Sequence, residues 1–159
     1  MFGRSRRRIR HRGGSYELHL DHRERELIRQ LLGELRALLA LDAADPRVRR
    51  LYPSAYADDA QKEDEYRGLT HDDLKQGRLE NVNAVEASVD AEALTAEQMN
   101  AWMQAVNSLR LVLGTMLDIT DDDQELSLSP DDPDARTQAL YAYLGGLLDE
   151  IVDAQLETL

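Results

Sequence analysis

The chain has 159 residues and a formal net charge of −12; 42% of residues are hydrophobic, 31% are charged, and there is no cysteine. That length suits a single domain needing no staple to hold its core, and the missing thiols exclude disulfides, thiolate chemistry, Cys-ligated zinc and iron–sulfur clusters. Six arginines and no acid stand in residues 1–12, so the remainder carries −18, and a body that negative repels a polyphosphate backbone.

Arg4, Arg6, Arg7, Arg8, Arg10 and Arg12 form an anion-seeking arm that ends at Gly13-Gly14. If nucleic acid is touched, the arm does it. Tyr16, Leu18 and Leu20 then alternate with Glu17 and His19, the period-two pattern of a half-buried strand. Glu125-Leu126-Ser127-Leu128 is its expected partner in a two-stranded ribbon.

Asp21 and Glu24 have the spacing of a capping box, and they open a helix expected to run to about Leu41. Leu27, Ile28, Leu31, Leu32, Leu35, Leu38 and Leu39 make its buried stripe. Asp45-Pro46 reads as an N-cap with proline at the first helical position, starting a short turn that stops before Pro53. Leu51, Tyr52 and Tyr56 would pack that turn down.

Residues 58–67 are polar and helix-prone, and Thr70 with Asp73 predicts a restart that continues to about Ser88. Thr95 and Gln98 form a second capping box, before the most apolar helix of the chain. Trp102, Val106, Leu109, Leu113 and Met116 follow at steps of four and three, so this helix is the expected core. Acidic residues 119–134, with Pro130 and Pro133, make the longest connection, and a last helix carries Leu140, Leu144, Leu147, Leu148, Ile151 and Val152 on one face. The expected fold is mainly α: a single helical domain over 15–159, a bundle of about four to six helices with a small two-stranded antiparallel ribbon, preceded by a flexible arm over 1–14.

No stretch encodes a reaction. His71-Asp72-Asp73 places an imidazole beside two carboxylates, but adjacent helical residues point about 100° apart, so solvated charge at a helix start is the simpler reading. The run from Asp118 to Asp134 lacks the alternating ligands and the glutamate of a calcium loop. No nucleophile stands beside a base, no glycine loop cradles phosphate, and the start of the chain lacks the apolar core of a signal peptide. No apolar run approaches the roughly 20 residues of a membrane span. The expectation is a cytoplasmic protein without membrane contact, catalysis, metal or cofactor.

Asn107 and Arg110 are strongly polar residues within the apolar central helix, three apart and hence on one side. Arg110 reads either as an anion or partner contact, or as a guanidinium paired with a carboxylate from another helix. Gly145 and Gly146 sit inside an apolar helix, where each costs about 1 kcal/mol relative to alanine. Their missing side chains are expected to admit a close neighbour, from this chain or from a second copy in a homodimer.

Arg50-Leu51-Tyr52-Pro53-Ser54-Ala55-Tyr56, then Asn107-Ser108-Leu109-Arg110-Leu111-Val112-Leu113-Gly114, then Leu140-Tyr141-Ala142-Tyr143-Leu144 follow in an order and spacing that resembles an actinobacterial family. That family, formerly a domain of unknown function, is encoded near the ClpS protease adaptor and includes the AosR-type oxidative-stress regulators. The resemblance implies a non-catalytic cytoplasmic regulator acting by contact with a sigma factor or RNA polymerase. Together with Trp102 from the helical spacing and the Gly145-Gly146 pair, these motifs make Arg50, Tyr52, Pro53, Tyr56, Trp102, Asn107, Arg110, Tyr141, Gly145 and Gly146 the candidate partner-contact or structural residues. The AosR-type redox switch resembles a paired-cysteine sensor of the C-x-x-x-C kind, which a chain without cysteine does not carry. Two other readings stay open: an interaction module linked to ClpS and Clp proteolysis, and a direct nucleic-acid binder working through the arm.

Overall fold

In the computed structural model, which describes residues 7–42, 44–117 and 131–157, the first turn of the chain is set by Gly13. Its φ of +61° is a conformation that glycine adopts at no steric cost, and it reverses the chain between β1 (Ile9–Arg12) and β2 (Ser15–Leu18). Ile9 pairs with Leu18, and His11 with Tyr16, so Ile9, Tyr16 and Leu18 turn toward the core. A third strand, β3 (Ala93–Leu94), pairs with the other side of β2, with Leu94 opposite Tyr16.

Two expectations are corrected here. The ribbon is a three-stranded antiparallel sheet in the order β1-β2-β3, and the segment assigned as the partner, 125–128, lies outside the described residues. The arm expected over 1–14 becomes ordered sheet by residue 9, because Ile9 is fully buried and the glycine pair folds the strand back on β2. Residues 1–6 lie outside the described residues.

Helix α1 (His22–Leu39) starts as its sequence demands. Asp21 accepts from the Glu24 amide at 2.8 Å, and Glu24 accepts from the Asp21 amide at 3.0 Å. Ile28, Leu31, Leu32, Leu35 and Leu39 are buried along it. Arg25, near its start, donates to the carbonyls of Leu20, Val89 and Ala91, which ties α1 to the chain between the second long helix and β3.

A 3-10 helix (Pro46–Leu51) follows, capped by Asp45 as expected. Helix α2 (Ala60–Ser88) is then a single 29-residue helix, so the expected restart at Thr70 does not occur. The Thr70 hydroxyl donates to the Tyr66 carbonyl at 2.8 Å, a local bond that lets threonine sit inside a helix, and no proline interrupts the segment. The second half of α2 buries Val82, Val85 and Ser88, whereas Glu63 is the buried residue of its first half.

Helix α3 (Ala96–Met116) begins with the Thr95–Gln98 capping box and occupies the centre. It packs against α2, α4 (Ala135–Leu156), the 3-10 helix, α1 and the sheet. Trp102 is fully buried and Met99, Ala105, Val106, Leu109, Val112 and Leu113 surround it along the helix, but Met116, placed on the same stripe by spacing, is 58% exposed. On α4, Leu144, Leu147, Ile151 and Ala154 face the core. These side chains, with those of α1 and the sheet, form one hydrophobic cluster, and the mainly α reading holds.

Candidate interaction site

The 3-10 helix is held in place before it positions anything. The Asp45 carboxylate accepts from the Arg47 amide at 2.9 Å and pairs with the Arg47 guanidinium, which holds its pKa down at about 2. Val48 and Leu51 bury one side of the turn. Arg50 is thereby directed at α3: a side chain at Gly114 would come within 2.9 Å of its Nη1.

The chain leaving this turn is fixed by a residue that the sequence reading missed. Glu63, buried on α2, accepts from the amides of Ala55 at 3.1 Å and Tyr56 at 2.7 Å, and sits 3.4 Å from Arg67. A buried carboxylate oxygen that accepts from two backbone amides anchors a loop much as an N-cap anchors a helix. Pro53 and Tyr56 stay exposed on that loop, with the Tyr56 ring edge-on to Tyr66. Tyr52 turns inward against His71 at 4.7 Å, and burial pushes its hydroxyl above the usual tyrosine range. The His71-Asp72-Asp73 run is thus within α2, not at a helix start, and His71 packs on a tyrosine while both aspartates face solvent.

Arg78 was also missed. It donates to Ser108 Oγ at 2.7 Å and to the Leu51 carbonyl at 2.9 Å, so it joins α2, α3 and the end of the 3-10 helix. Desolvation lowers the pKa of its guanidinium. No period or motif marks Arg78 in the sequence, since it lies on the partly buried side of a helix whose apolar stripe is weak.

The residues that do converge lie where the 3-10 helix, α3 and α4 meet. Arg110 lies over the ring of Tyr141, its guanidinium carbon 4.8 Å from the ring centre. It also rests on Gly145, where an added Cβ would stand 3.3 Å from Nε. Tyr141 reaches the other way to Gly114, 3.4 Å from the place of a Cβ there. Arg50, Arg110, Tyr141 and Gly145 therefore share one surface, with Gly114 as the fifth member. The expected carboxylate partner is not found: among the described residues Arg110 makes no ion pair, and its buried Nε has no acceptor. The acids abundant in the sequence face solvent elsewhere, and the ring and glycine hold the guanidinium instead.

The other signature residues lie apart. Trp102 is in the core, Asn107 is exposed one turn before Arg110, and Gly146 points into open space with nothing within 4 Å of a Cβ. Only the first glycine of the pair admits a close neighbour, and that neighbour is a side chain of α3.

Away from that junction, Arg7 and Arg8 at the start of the hairpin are engaged by the helices. Arg8 donates to Glu24 at 2.6 Å and to Glu150 at 2.9 Å and lies over Tyr143, whose hydroxyl donates to Glu24 at 3.2 Å. Burial and the nearby Glu24 charge push the Tyr143 hydroxyl well above its ordinary range. Arg7 pairs with Glu157 at 2.7 Å, and Glu17 pairs with Arg12 and His19, which lowers its pKa. Arg10 is exposed, while Arg4 and Arg6 lie outside the described residues. An open groove of about 990 Å³ separates this hairpin from the start of α1, lined by Arg8, Arg10, Glu17, His19, Glu24 and Glu92.

Among the described residues there is no cluster of potential metal ligands and no helix long and apolar enough to cross a membrane. The calcium-loop candidates 118–125 lie outside the described residues, and Asp132 accepts from the Asp134 amide and from Gln138 at the start of α4.

The chain is similar to proteins named oxidative stress regulator AosR, from Mycobacterium bovis and Mycobacterium tuberculosis, with 31% identity over 93 residues. Those alignments cover 47% of this chain and 42% of each relative, so the chain matches less than half of their length. No solved structure matches it significantly. Residues 6–155 match the family described as a domain of unknown function (DUF2017), and with nearly its whole length covered the chain belongs to that family.

Proposed function

We propose that the chain is a non-catalytic, cytoplasmic regulator of the oxidative-stress response that acts by docking on a sigma factor or RNA polymerase, without a redox switch of its own. The observation that carries this reading is the similarity to proteins named as oxidative stress regulators. The charge pattern supports it, because a chain of net charge −12 is steered toward the basic surfaces of nucleic-acid-handling proteins and away from nucleic acid itself. The arrangement of Arg50, Arg110 and Tyr141 supports it as well. Arginine and tyrosine are the side chains that most often anchor protein interfaces, and here they lie half-buried where the 3-10 helix, α3 and α4 meet.

The test is co-elution of the purified chain with RNA polymerase core, with sigma-loaded polymerase and with free sigma factors, in low and high salt. Binding to one of these, weakened by salt, is expected. Binding to none of them overturns the proposal. Retention instead on ClpS or its unfoldase would transfer the chain to proteolysis, and a shift of duplex DNA lost on deleting residues 1–12 would make the arm a nucleic-acid binder.

A further inference from the structure

We propose that Arg110 recognises a single carboxylate side chain on the partner protein, and that Tyr141 and Gly145 exist to present it. The proposal rests on the reading that this chain works by protein contact, and it names the point at which that contact is registered.

An arginine on a helix surface ordinarily spends its contacts on a neighbouring acid, and this chain has acids in excess. Arg110 instead has no hydrogen-bond or ion-pair partner among the described residues, although Nε is buried. Its plane is fixed from two sides. The Tyr141 ring lies beneath it at 4.8 Å, and the missing side chain of Gly145 lets Nε and Nη2 settle 3.3 and 3.6 Å from where a Cβ would be. A flexible cation held in one plane before binding loses little freedom when a planar carboxylate arrives, and the guanidinium fork matches that group in geometry. Glycine inside an apolar helix is otherwise unfavourable, which makes this use of Gly145 the more telling.

The choice of a carboxylate on a polypeptide follows from charge. From Glu80 onward Arg110 and Arg136 stand against 17 acids, so a phosphate chain, charged at every link, is repelled by the chain as a whole. A protein surface that is basic overall is attracted by that field. One acid within such a surface, placed opposite Arg110, then fixes orientation by pairing with the guanidinium. The exposed Asn107, one turn away on α3, offers an amide to complete the contact.

The experiment uses the full chain with ¹⁵N-labelled arginine side chains, titrated with a short peptide carrying one glutamate among lysines. Controls are the same peptide with glutamine, inorganic phosphate and a DNA duplex. Saturable shifts of the Arg110 Nε and of the amides of 107–114 and 141–145 are expected with the glutamate peptide. Affinity should fall about tenfold for the glutamine peptide and for Arg110→Lys, which keeps charge but not the fork. Arg23→Ala, which removes one exposed charge on α1, should leave it unchanged. Equal binding of both peptides, or shifts with phosphate or DNA alone, would overturn the proposal, as would unaltered binding by Arg110→Lys with native circular dichroism. If polymerase and sigma factors fail to bind while the glutamate peptide still shifts Arg110, the assigned partner is wrong and the site stands. If a sigma factor binds wild type and Arg110→Lys alike, the site is wrong and the assigned partner stands.

Discussion

The indole N–H of Trp102 donates to Ser88 Oγ at 2.9 Å, and both residues are buried. Ser88 in turn donates to the Ala84 carbonyl at 2.8 Å, so a single hydroxyl ties the second turn of α3 to the last turn of α2. Ser88→Ala strands a buried donor, which costs about 1–3 kcal/mol. The expected outcome is a lower urea midpoint with an unchanged slope. A midpoint equal to wild type would mean that the indole finds another acceptor.

Glu63 supplies the acceptor for two amides of the loop that follows the 3-10 helix. Glu63→Ala should destabilise the chain by about 2 kcal/mol, since hydrogen bonds to a charged group are the stronger kind and both amides lose their partner. Amide exchange at Ala55 and Tyr56 should accelerate more than exchange in α3. Uniform acceleration across the chain would contradict a local anchoring role.

The two glycines of α4 should respond differently to alanine. Gly146→Ala places its methyl in open space and should raise stability by about 0.5–1 kcal/mol, the ordinary gain of helix propensity. Gly145→Ala makes the same gain but pushes Arg110 off its shelf by a few tenths of an ångström. The side-chain resonance of Arg110 should therefore move in Gly145→Ala and stay in place in Gly146→Ala. Calorimetric melting with arginine-selective NMR reads both.

Asp45 sets a pH dependence of known sign. Its carboxyl is held at about 2, below the free value of 3.8, first by the Arg47 side chain and then by the Arg47 amide. A carboxyl depressed in the folded state stabilises above its free pKa, and the contribution fades as pH falls from about 3.8 toward about 2. Following the Asp45 carboxyl carbon by NMR should give a midpoint near the lower value. In Arg47→Gln the midpoint should climb toward the free one, and order in the 3-10 helix should be lost at correspondingly higher pH.

Helix starts were legible because capping is local: the Asp21–Glu24 and Thr95–Gln98 spacings carry their own geometry. The same spacing at Thr70 and Asp73 misled, since a threonine inside a helix satisfies its hydroxyl on the preceding turn. Strand pairing was not legible. Alternation at Tyr16 and Leu18 marks a strand, but β1 carries only Ile9 as an apolar residue among arginines and histidine, and its place depends on the turn at Gly13. Arg110 was visible as a polar residue in an apolar helix, yet whether an acid or a ring would hold it depended on how α4 packs. Glu63 and Arg78 act through backbone groups and a serine distant in sequence, for which no local pattern exists.

β1 lies at the outside of the sheet, so among the described residues one side of its backbone has no neighbouring strand. Such an edge invites growth by a strand from another molecule, the first step toward fibrous assembly. Arg10 and Arg12 stand exposed along it, and a second copy approaching edge to edge would bring like charges into register. The hairpin's arginines thus act as a guard against self-templating, which lets an acidic helical protein keep a short sheet open to water.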